Sequence, residues 1–379
     1  MNNLDYSFKI ESDFISSYVI CEYIWLDKDY NIRSKTKNIT IKSILSTDKL
    51  TCLEYEELQL LYKNPKEFIL KCCSHNIFPI WNFDGSSTGQ NIDTNTEIII
   101  KPCNHYKHPS SNYDFIILCD CSNPCLPDFF DFRRNAEKMF EKYQHHHYWF
   151  GLEQEYFIMD TSTDKPIGLN SIHSNIKQGP FYCGNDGRYN HGRIIAEKHN
   201  RKCLDIGINM SGINAEVAIG QWEYQIGPSG PMKTCDDLIV SRFILNRLAE
   251  EHGCYISFEP KILDNWNGSG CHINISSNIM RNKTQQSYET ILQAIKNLEL
   301  NHSKTIENYG LNNQLRMTGI HETSSYDKFT FGIGTRDTSV RIGNDTFKNK
   351  HGYFEDRRPG SNINPYLALH ALMRDIHEI

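Results

Sequence analysis

The chain has 379 residues, of which 39% are hydrophobic and 23% are charged, with a formal net charge of −6. This composition argues against an intrinsically disordered chain, and the acidic balance argues against general nucleic-acid binding. The first twenty residues lack the apolar run of a secretory leader, and no stretch approaches the ~20 apolar residues of a membrane span. We therefore expect a soluble, cytoplasmic protein of two domains that binds neither nucleic acid nor membranes.

Thirteen cysteines are present, an odd number in a chain without an export signal. Free thiols are therefore favoured over a disulfide framework. Cys119, Cys121 and Cys125 form the closest cluster, but a zinc site would need a fourth ligand and better spacing. Their role stays open.

The segment 14–125 is dominated by short β-branched and aromatic runs that predict strands, with one helix-like patch over 51–64. The periodicity changes near 126–131, where a helical pattern follows Pro127 and Asp128 as a plausible cap. We place a domain boundary there, giving domains of 14–125 and 126–379.

In the second domain, helical segments alternate with strands. One predicted helix ends at Gly207, a second runs from a Thr234 N-cap to Gly253, a third begins at Ser287, and the last has Pro365 at its first position. Acidic and aromatic blocks fall between these helices. This order predicts a sheet that carries a polar site and is covered by helices.

Glutamates recur in the predicted strands at informative spacings. Glu153 and Glu155 lie two apart, so a strand presents both on one face. Glu216 and Glu223 are seven apart and would share a face only if a turn or bulge near Gly220 separates two strands.

Two further strand-like blocks add polar groups. His272, Asn274 and Ser276 alternate and share a face, and Glu355 shares a face with Arg357. Taken alone, each motif is more typical of a solvated strand face or an ion-pair network.

Taken together, the five glutamates and His272 form the hard ligand set that binds divalent cations beside a phosphate. Ionised carboxylates 5 Å apart repel by about 3 kcal/mol per pair at an effective dielectric of ~20, so the array predicts bound cations. Arg336 and Arg341, which flank a short TSV strand, are suited to phosphate.

Seven ordered blocks resemble the eukaryotic-type glutamine synthetases and cover most of the chain from about residue 15 onward. They are WNFDGSSTGQ (81–90), WFGLEQEYF (149–157), PFYCGNDG (180–187), GINAEVAIGQWEYQIGP (212–228), WNGSGCHIN (266–274), RMTGIHET (316–323) and YFEDRRP (353–359).

The resemblance implies an α+β chain with an N-terminal β-grasp domain and a C-terminal catalytic domain, whose curved antiparallel sheet is flanked by helices. It implies ATP-dependent ligation of ammonia to the γ-carboxylate of glutamate through a γ-glutamyl phosphate. It also implies a homo-oligomer, a decamer of two stacked pentamers with active sites between subunits.

The resemblance further implies two or three Mg²⁺ (or Mn²⁺) ions per active site, with ATP as co-substrate. One ion would be held by Glu155, Glu216 and Glu223, and another by Glu153, His272 and Glu355. The nucleotide would contact Glu223, Asn274, Ser276, Arg336, Arg341 and Tyr353.

The glutamate substrate would contact Asn267, Gly268, Arg316, Arg336 and Arg357. The expected catalytic groups are Asp84, which would bind ammonium and remove its proton, Glu322, which would close over the intermediate, and Arg357.

Three positions depart from the family pattern, namely Ile320, Thr335 and Asp337. Asp337 could weaken the field that Arg336 presents to nucleotide. Two alternatives stay open: a γ-glutamyl ligase for another amine, and a structural protein on a retired synthetase fold.

Overall fold

The computed structural model describes residues 18–40, 56–57, 60, 63–90, 95–110, 114–126, 129–169, 180–187 and 190–377. The chain divides into two compact units between Asp131 and Phe132. The boundaries 14–125 and 126–379 remain predictions. The helix predicted over 51–64 and the cap at Pro127 and Asp128 lie largely outside the described residues.

The first unit contains the elements β1 (Tyr18–Leu26), β2 (Ile32–Thr40), α1 (Pro65–Cys72), β3 (Trp81–Asp84), β4 (Glu97–Lys107) and β5 (Phe115–Ser122). Its strands form a five-stranded sheet in the order β2-β1-β5-β4-β3, in which β1 and β5 are parallel and the other neighbours are antiparallel. Buried aromatic and aliphatic side chains of this sheet pack with Phe68 and Ile69 of α1.

The second unit contains a nine-stranded sheet and eight helices among the described residues. Its strands are β6 (Trp149–Asp160), β7 (Lys165–Pro166), β8 (Met210–Ala215), β9 (Gln221–Ser229), β10 (Cys254–Ser257), β11 (Cys271–Ser276), β12 (Phe331–Ile333), β13 (Val340–Ile342) and β14 (Phe354–Asp356). Its helices are α2 (Phe132–Lys142), α3 (Arg193–Asp205), α4 (Pro231–Glu250), α5 (Asn278–Arg281), α6 (Gln286–Leu300), α7 (His302–Ile306), α8 (Asn344–Asn349) and α9 (Pro365–His377).

The large sheet has the strand order β12-β13-β14-β11-β6-β9-β8, and β7 and β10 also pair with β6. Only the β12–β13 pair is parallel; the other pairs are antiparallel. The predicted antiparallel sheet flanked by helices is therefore confirmed. Its central strand β6 is 12 residues long and carries Glu153, Gln154 and Glu155, which we call the EQE motif.

The turn predicted near Gly220 is confirmed, since β8 and β9 are separate strands on either side of it. Gly220 adopts φ +70°, and a Cβ there would lie 3.0 Å from the backbone oxygen of Ile167. A residue with a side chain would be strained on both counts. Glycine at this turn allows Glu216 and Glu223 to come from two adjacent segments.

Two helix predictions need correction. Thr234 is not an N-cap: α4 begins at Pro231, and the Thr234 hydroxyl donates to the Gly230 carbonyl at 3.0 Å. Proline suits the first helical position because it has no N–H to leave unpaired, and this moves the start by one turn. The helix that begins near Ser287 also breaks at Asn301, between α6 and α7.

The other two helix predictions are confirmed. Gly207 lies just beyond α3 with φ +87°, and Pro365 is the first residue of α9. Among the helices in the described part of the chain, none is long and apolar enough to cross a bilayer.

A buried histidine predicts loss of stability in acid. His199 is fully buried, its Nε2 lies 3.0 Å from the Ser241 carbonyl oxygen, and burial lowers its pKa from 6.5 to about 4. Between about pH 4 and pH 6.5, His199 is therefore protonated in the unfolded chain and neutral in the folded chain. The stability contributed by neutral His199 is complete above about pH 6.5 and falls toward pH 4.

We expect the free energy of unfolding, measured with urea, to drop by about 2 kcal/mol less in a His199→Gln variant than in the parent chain between pH 7 and pH 5. Glutamine keeps a donor for Ser241 but does not titrate. Equal losses in the two proteins would contradict this assignment.

Candidate active site

The register of the large sheet brings the predicted ligands together. Glu155 lies opposite Glu223 on β9, and Glu153 lies opposite His272 on β11. Glu355 on β14 is opposite Asn274 on β11. Because directly opposed side chains share a face, these pairings gather residues that are far apart in the sequence.

Six side chains form two groups, in each of which the potential ligand atoms lie within 4.8 Å of one another. The first group is Glu153, His272 and Glu355, and the second is Glu155, Glu216 and Glu223. These are the two sets inferred from the sequence. Most of these side chains are buried, and only Glu153 and Glu216 are of intermediate exposure.

The carboxylates of the second group are held in unfavourable surroundings. Burial and the neighbouring Glu216 raise the pKa of Glu155, and burial raises the pKa of Glu216. Burial together with Glu155 and Glu153 raises the pKa of Glu223 well above its ordinary value. A bound cation would reverse this effect because it stabilises the ionised form.

His272 is suited to bind a cation as a neutral imidazole. Burial and the nearby Arg357 hold its pKa well below 6.5. Its Nδ1 is buried and makes no hydrogen bond; it lies 3.4 Å from Glu355 Oε1 and 3.6 Å from Glu153 Oε2. A buried acceptor aimed between two carboxylates fits a divalent cation with nitrogen and oxygen ligands.

Arginines line the same side of the sheet. Arg341 and Arg357 both pair with Glu355, and the Arg357 contact is 2.8 Å long. Arg336 lies 3.7 Å from Glu322 and places its guanidinium over the Tyr182 ring at 5.6 Å. The site therefore combines a carboxylate-rich floor with several permanent cations.

A polar cavity of about 140 Å³ joins these groups. Five of the six potential ligands line it, all except Glu355. The predicted substrate residues and Glu322 also line it. Gly268 fits only as glycine, since a Cβ would lie 2.4 Å from the Pro260 carbonyl oxygen. Arg316 is 4% exposed, and its Nη2 donates to the backbone carbonyls of residues 357–359. These hydrogen bonds hold the loop after β14 in place.

The segment carrying Glu322 is locally strained. His321 and Glu322 have φ of +57° and +62°, the left-handed region that residues with a side chain avoid. Asn267 donates to Glu322 Oε2 at 3.3 Å. The Glu322 carboxylate is thereby directed over the cavity and close to Arg336.

A second, largely apolar cavity of about 440 Å³ shares Glu153 with the first. Three predicted nucleotide residues line it, namely Asn274, Ser276 and Tyr353, whereas Glu223, Arg336 and Arg341 line the polar cavity. The predicted nucleotide residues are therefore divided between adjoining apolar and polar spaces.

Sequence reasoning did not assign roles to Trp149 and Arg281, which also line the apolar cavity. The Arg281 guanidinium lies 4.0 Å from the Trp149 ring centroid, and Trp149 is 48% exposed. Trp149 lies directly before the acidic block of β6 in the sequence, and this position could have indicated a binding role. Arg281 could not be found this way, because its contact depends on how the short helix α5 packs.

Asp84 belongs to the other unit, where it ends β3. Its carboxylate accepts hydrogen bonds from the Ser86 backbone N–H at 3.0 Å and the Ser86 hydroxyl at 2.8 Å. Hydrogen bonds from the Ser86 and Thr96 side chains lower the pKa of Asp84. It is an exposed carboxylate kept ionised by the turn that it caps.

The sites of departure from the family pattern lie at the surface. Ile320 is 61% exposed, and the Thr335 hydroxyl lies 3.3 Å from that of Thr338. Asp337 is also exposed. None of the three lines the polar cavity. Cys119 and Cys121 are buried, Cys125 is exposed, and all three are free thiols.

Two groups of potential cation ligands on an antiparallel sheet, with arginines beside them, are typical of enzymes that transfer phosphoryl groups with divalent cations. Residues 130–377 match the glutamine synthetase catalytic domain. Glutamine synthetase of Saccharomyces cerevisiae is 40% identical over 353 residues, covering 92% of this chain and 87% of the yeast protein. That of Yarrowia lipolytica is 40% identical over 361 residues, covering 94% and 90%.

A cryo-electron microscopy structure of Plasmodium falciparum glutamine synthetase superposes with a TM-score of 0.70 at 18% identity. It covers 98% of this chain and 73% of that one, and at this identity it shows the fold alone. The chain belongs to the glutamine synthetase family and contains its catalytic domain.

The buried carboxylates predict opposite effects of one substitution on stability and on metal response. At pH 8, Glu223→Gln removes a group whose ionisation the folded protein resists, because its folded pKa lies above its unfolded pKa. We therefore expect the metal-free variant to be more stable than the parent chain. We also expect Mn²⁺ to raise its melting temperature much less.

Thermal unfolding with and without Mn²⁺ measures both effects. Glu197→Gln, at an exposed position on α3, is the matched control and should change neither. A metal-free Glu223→Gln variant that is less stable than the parent chain would contradict the electrostatic account.

Proposed function

We propose that this protein joins ammonia to the γ-carboxylate of L-glutamate, using ATP, to give L-glutamine, ADP and phosphate. The observation that carries this proposal is the convergence of two groups of potential cation ligands and four arginines at one polar cavity. Such a cavity provides for the anionic reactants of a phosphoryl transfer, and family membership supplies the reaction.

The cations are proposed to be Mg²⁺ or Mn²⁺, two or three per site, because both accept carboxylate oxygen ligands. Glu155, Glu216 and Glu223 would hold one ion, and Glu153, His272 and Glu355 another. When bound, these ions neutralise the charge on the transferred phosphoryl group. Ligand donation by Glu355 would also compete with its pairing to Arg341 and Arg357.

The arginines are proposed to hold the anionic groups in line for transfer. Arg336 and Arg341 would contact the ATP phosphates, and Arg316 and Arg357 the glutamate substrate together with Asn267 and Gly268. A guanidinium fork binds carboxylate or phosphate oxygens in a fixed orientation. Positioning and charge stabilisation account for most of the catalysis of phosphoryl transfer.

The apolar cavity is proposed to receive the adenine base. Trp149 and Tyr353 offer aromatic faces there, while Asn274 and Ser276 offer polar groups. Because this cavity adjoins the polar one at Glu153, a base in the first space would leave its phosphates in the second. ATP has the required division into apolar and anionic ends.

The first half-reaction would convert the glutamate γ-carboxylate to γ-glutamyl phosphate, a better electrophile. Water would hydrolyse this acyl phosphate, so the site must be closed while it exists. Glu322, directed over the cavity by Asn267, is the proposed closing group. Arg357, whose Nη2 donates to the Glu322 carbonyl at 3.3 Å, links this segment to the cavity floor.

The second half-reaction requires neutral ammonia, because ammonium has no lone pair. Asp84 is proposed to bind ammonium and then accept its proton. Its low pKa keeps it anionic and able to attract the cation.

We also propose that the protein is a homo-oligomer, a decamer of two stacked pentamers with active sites between subunits. This proposal rests on the family resemblance. A cytoplasmic location also stays a prediction.

The reaction is tested by ATP-dependent glutamine formation from glutamate and ammonium with Mg²⁺, in parallel with hydroxylamine as the amine. We expect Asp84→Asn to reduce ammonium-dependent product far more than hydroxylamine-dependent product, because hydroxylamine is already neutral near pH 7. Asparagine keeps an acceptor for the Ser86 N–H, so the turn stays capped.

Asp29→Ala, at an exposed position in the same unit, is the control and should leave both activities unchanged. Product with an organic amine but not with ammonium would favour the alternative amine ligase. No product from a folded, ATP-binding protein with either Mg²⁺ or Mn²⁺ would favour the retired scaffold.

The proposed base site predicts a separable effect on nucleotide affinity. Stacking of a base on an aromatic ring is worth about 1–3 kcal/mol, so Trp149→Ala should weaken binding of a non-hydrolysable ATP analogue about 10-fold or more. Isothermal titration calorimetry measures this directly. Mn²⁺ affinity without nucleotide should stay unchanged, and so should nucleotide affinity in the control variant Tyr255→Ala. Unaltered affinity in Trp149→Ala would exclude this cavity as the base site.

Assembly is tested by light scattering coupled to gel filtration, with ten chains per particle as the expected result. A fully active monomer would contradict the proposed assembly.

A further inference from the structure

A buried arginine that lies outside the polar cavity contacts the strand that carries the EQE motif. Arg242 is on α4, is 6% exposed and is not part of the cavity lining. Burial lowers its pKa, and the opposing effects come from Cys271 and Tyr224. Among the described residues, no ion pair joins its guanidinium to a carboxylate. Burying a guanidinium without an acidic partner is unfavourable, so its presence calls for an explanation.

The Arg242 guanidinium donates four hydrogen bonds to uncharged oxygens. Nε and Nη2 both donate to Gln154 Oε1, at 2.9 and 2.5 Å. Nη1 donates to the Ile363 carbonyl at 2.7 Å, and Nη2 also donates to the Ser361 carbonyl at 2.8 Å. The planar fork therefore fixes two separate segments relative to α4.

Gln154 is the first of these contacts and lies between two proposed cation ligands. Since side chains alternate along a strand, Glu153 and Glu155 face the cavity while Gln154 faces α4. Gln154 Nε2 donates to the backbone carbonyl of Glu155 at 2.7 Å and to that of Ser361 at 3.0 Å. One residue of each ligand triad thus flanks the residue that Arg242 holds.

The second contact is the segment that follows β14, the strand of Glu355. The Ser361 N–H donates to the Ser269 carbonyl at 3.1 Å, and the Cys271 N–H donates to the Pro359 carbonyl at 3.0 Å. These bonds join the segment to the start of β11, which carries His272. Arg242 therefore contacts β6 directly and the segment that follows β14, and this segment is hydrogen-bonded to Ser269 and to Cys271, the first residue of β11. The strands β6, β11 and β14 supply four of the six proposed ligands.

We propose that Arg242 is a positioning residue for both ligand triads, holding β6, β11 and the end of β14 in the register that the cations require. This inference rests on the proposed cation sites. Groups that orient metal ligands from behind typically change metal affinity about 10- to 100-fold when removed. A residue needed only for packing would be replaced without loss by an apolar side chain of similar volume.

The test compares the Mn²⁺ affinities of Arg242→Met, Arg242→Lys and the parent chain without nucleotide. Electron paramagnetic resonance measures the free Mn²⁺ in each titration. We expect Arg242→Met to weaken Mn²⁺ binding about 10-fold or more at a temperature where circular dichroism shows it folded. Arg242→Lys keeps the charge but loses the fork, so an intermediate loss is expected. The kcat of Arg242→Met should lie closer to that of the parent chain when Mg²⁺ is in excess than when Mg²⁺ is limiting.

The matched control is Arg133→Met. Arg133 is also buried and contacts α4, where its Nε pairs with Asp236 Oδ1 at 2.9 Å. It should lower the melting temperature and leave Mn²⁺ affinity unchanged.

Folded Arg242→Met with parental Mn²⁺ affinity would overturn the proposal. If Arg242→Met does not fold, Arg242→Lys decides: unchanged affinity overturns the proposal and weakened affinity supports it. Failure of the parent chain itself to bind Mn²⁺ would instead contradict the proposed cation sites.

Discussion

The antiparallel pairing of β6 with β9 and β11 is the constraint on which the site depends. It places Glu155 against Glu223 and Glu153 against His272 in a largely buried setting, where carboxylates repel one another and resist ionisation. A shift of β9 or β11 by one residue would turn Glu223 or His272, respectively, to the opposite face of the sheet. The fold thus maintains an arrangement that is unfavourable for stability and suited to cation binding.

The surrounding structure supports this arrangement from both sides. On the cavity side, Arg341 and Arg357 neutralise Glu355, and the Gly270 N–H donates to Glu155 at 2.8 Å. On the opposite side, Arg242 donates hydrogen bonds to Gln154 of β6 and to the segment that follows β14. The polar cavity and the apolar cavity adjoin at Glu153, which lines both.

Much of the site was accessible from the sequence because alternation along a strand is a local rule. The shared faces of Glu153 with Glu155, and the turn at Gly220, followed from spacing alone. Which strand pairs with which could not be derived from spacing, because pairing joins residues more than 100 positions apart, as for Glu153 and His272. The family resemblance supplied those groupings.

The features that escaped sequence reasoning depend on tertiary packing or on competing local preferences. The stacking of Arg281 on Trp149 is set by the position of α5 against β6. The start of α4 was misassigned because a threonine typical of an N-cap lies three residues after Pro231, and proline at the first position determines the start.

The number of Mn²⁺ ions bound per chain shows whether the six converging side chains form two separate cation sites. With two sites, the parent protein should bind at least two Mn²⁺ per chain tightly, and Glu216→Gln and Glu355→Gln should each bind one fewer. Loss of all Mn²⁺ binding in either folded variant would indicate a single shared site. An unchanged stoichiometry in both variants would mean that these side chains do not hold the cations.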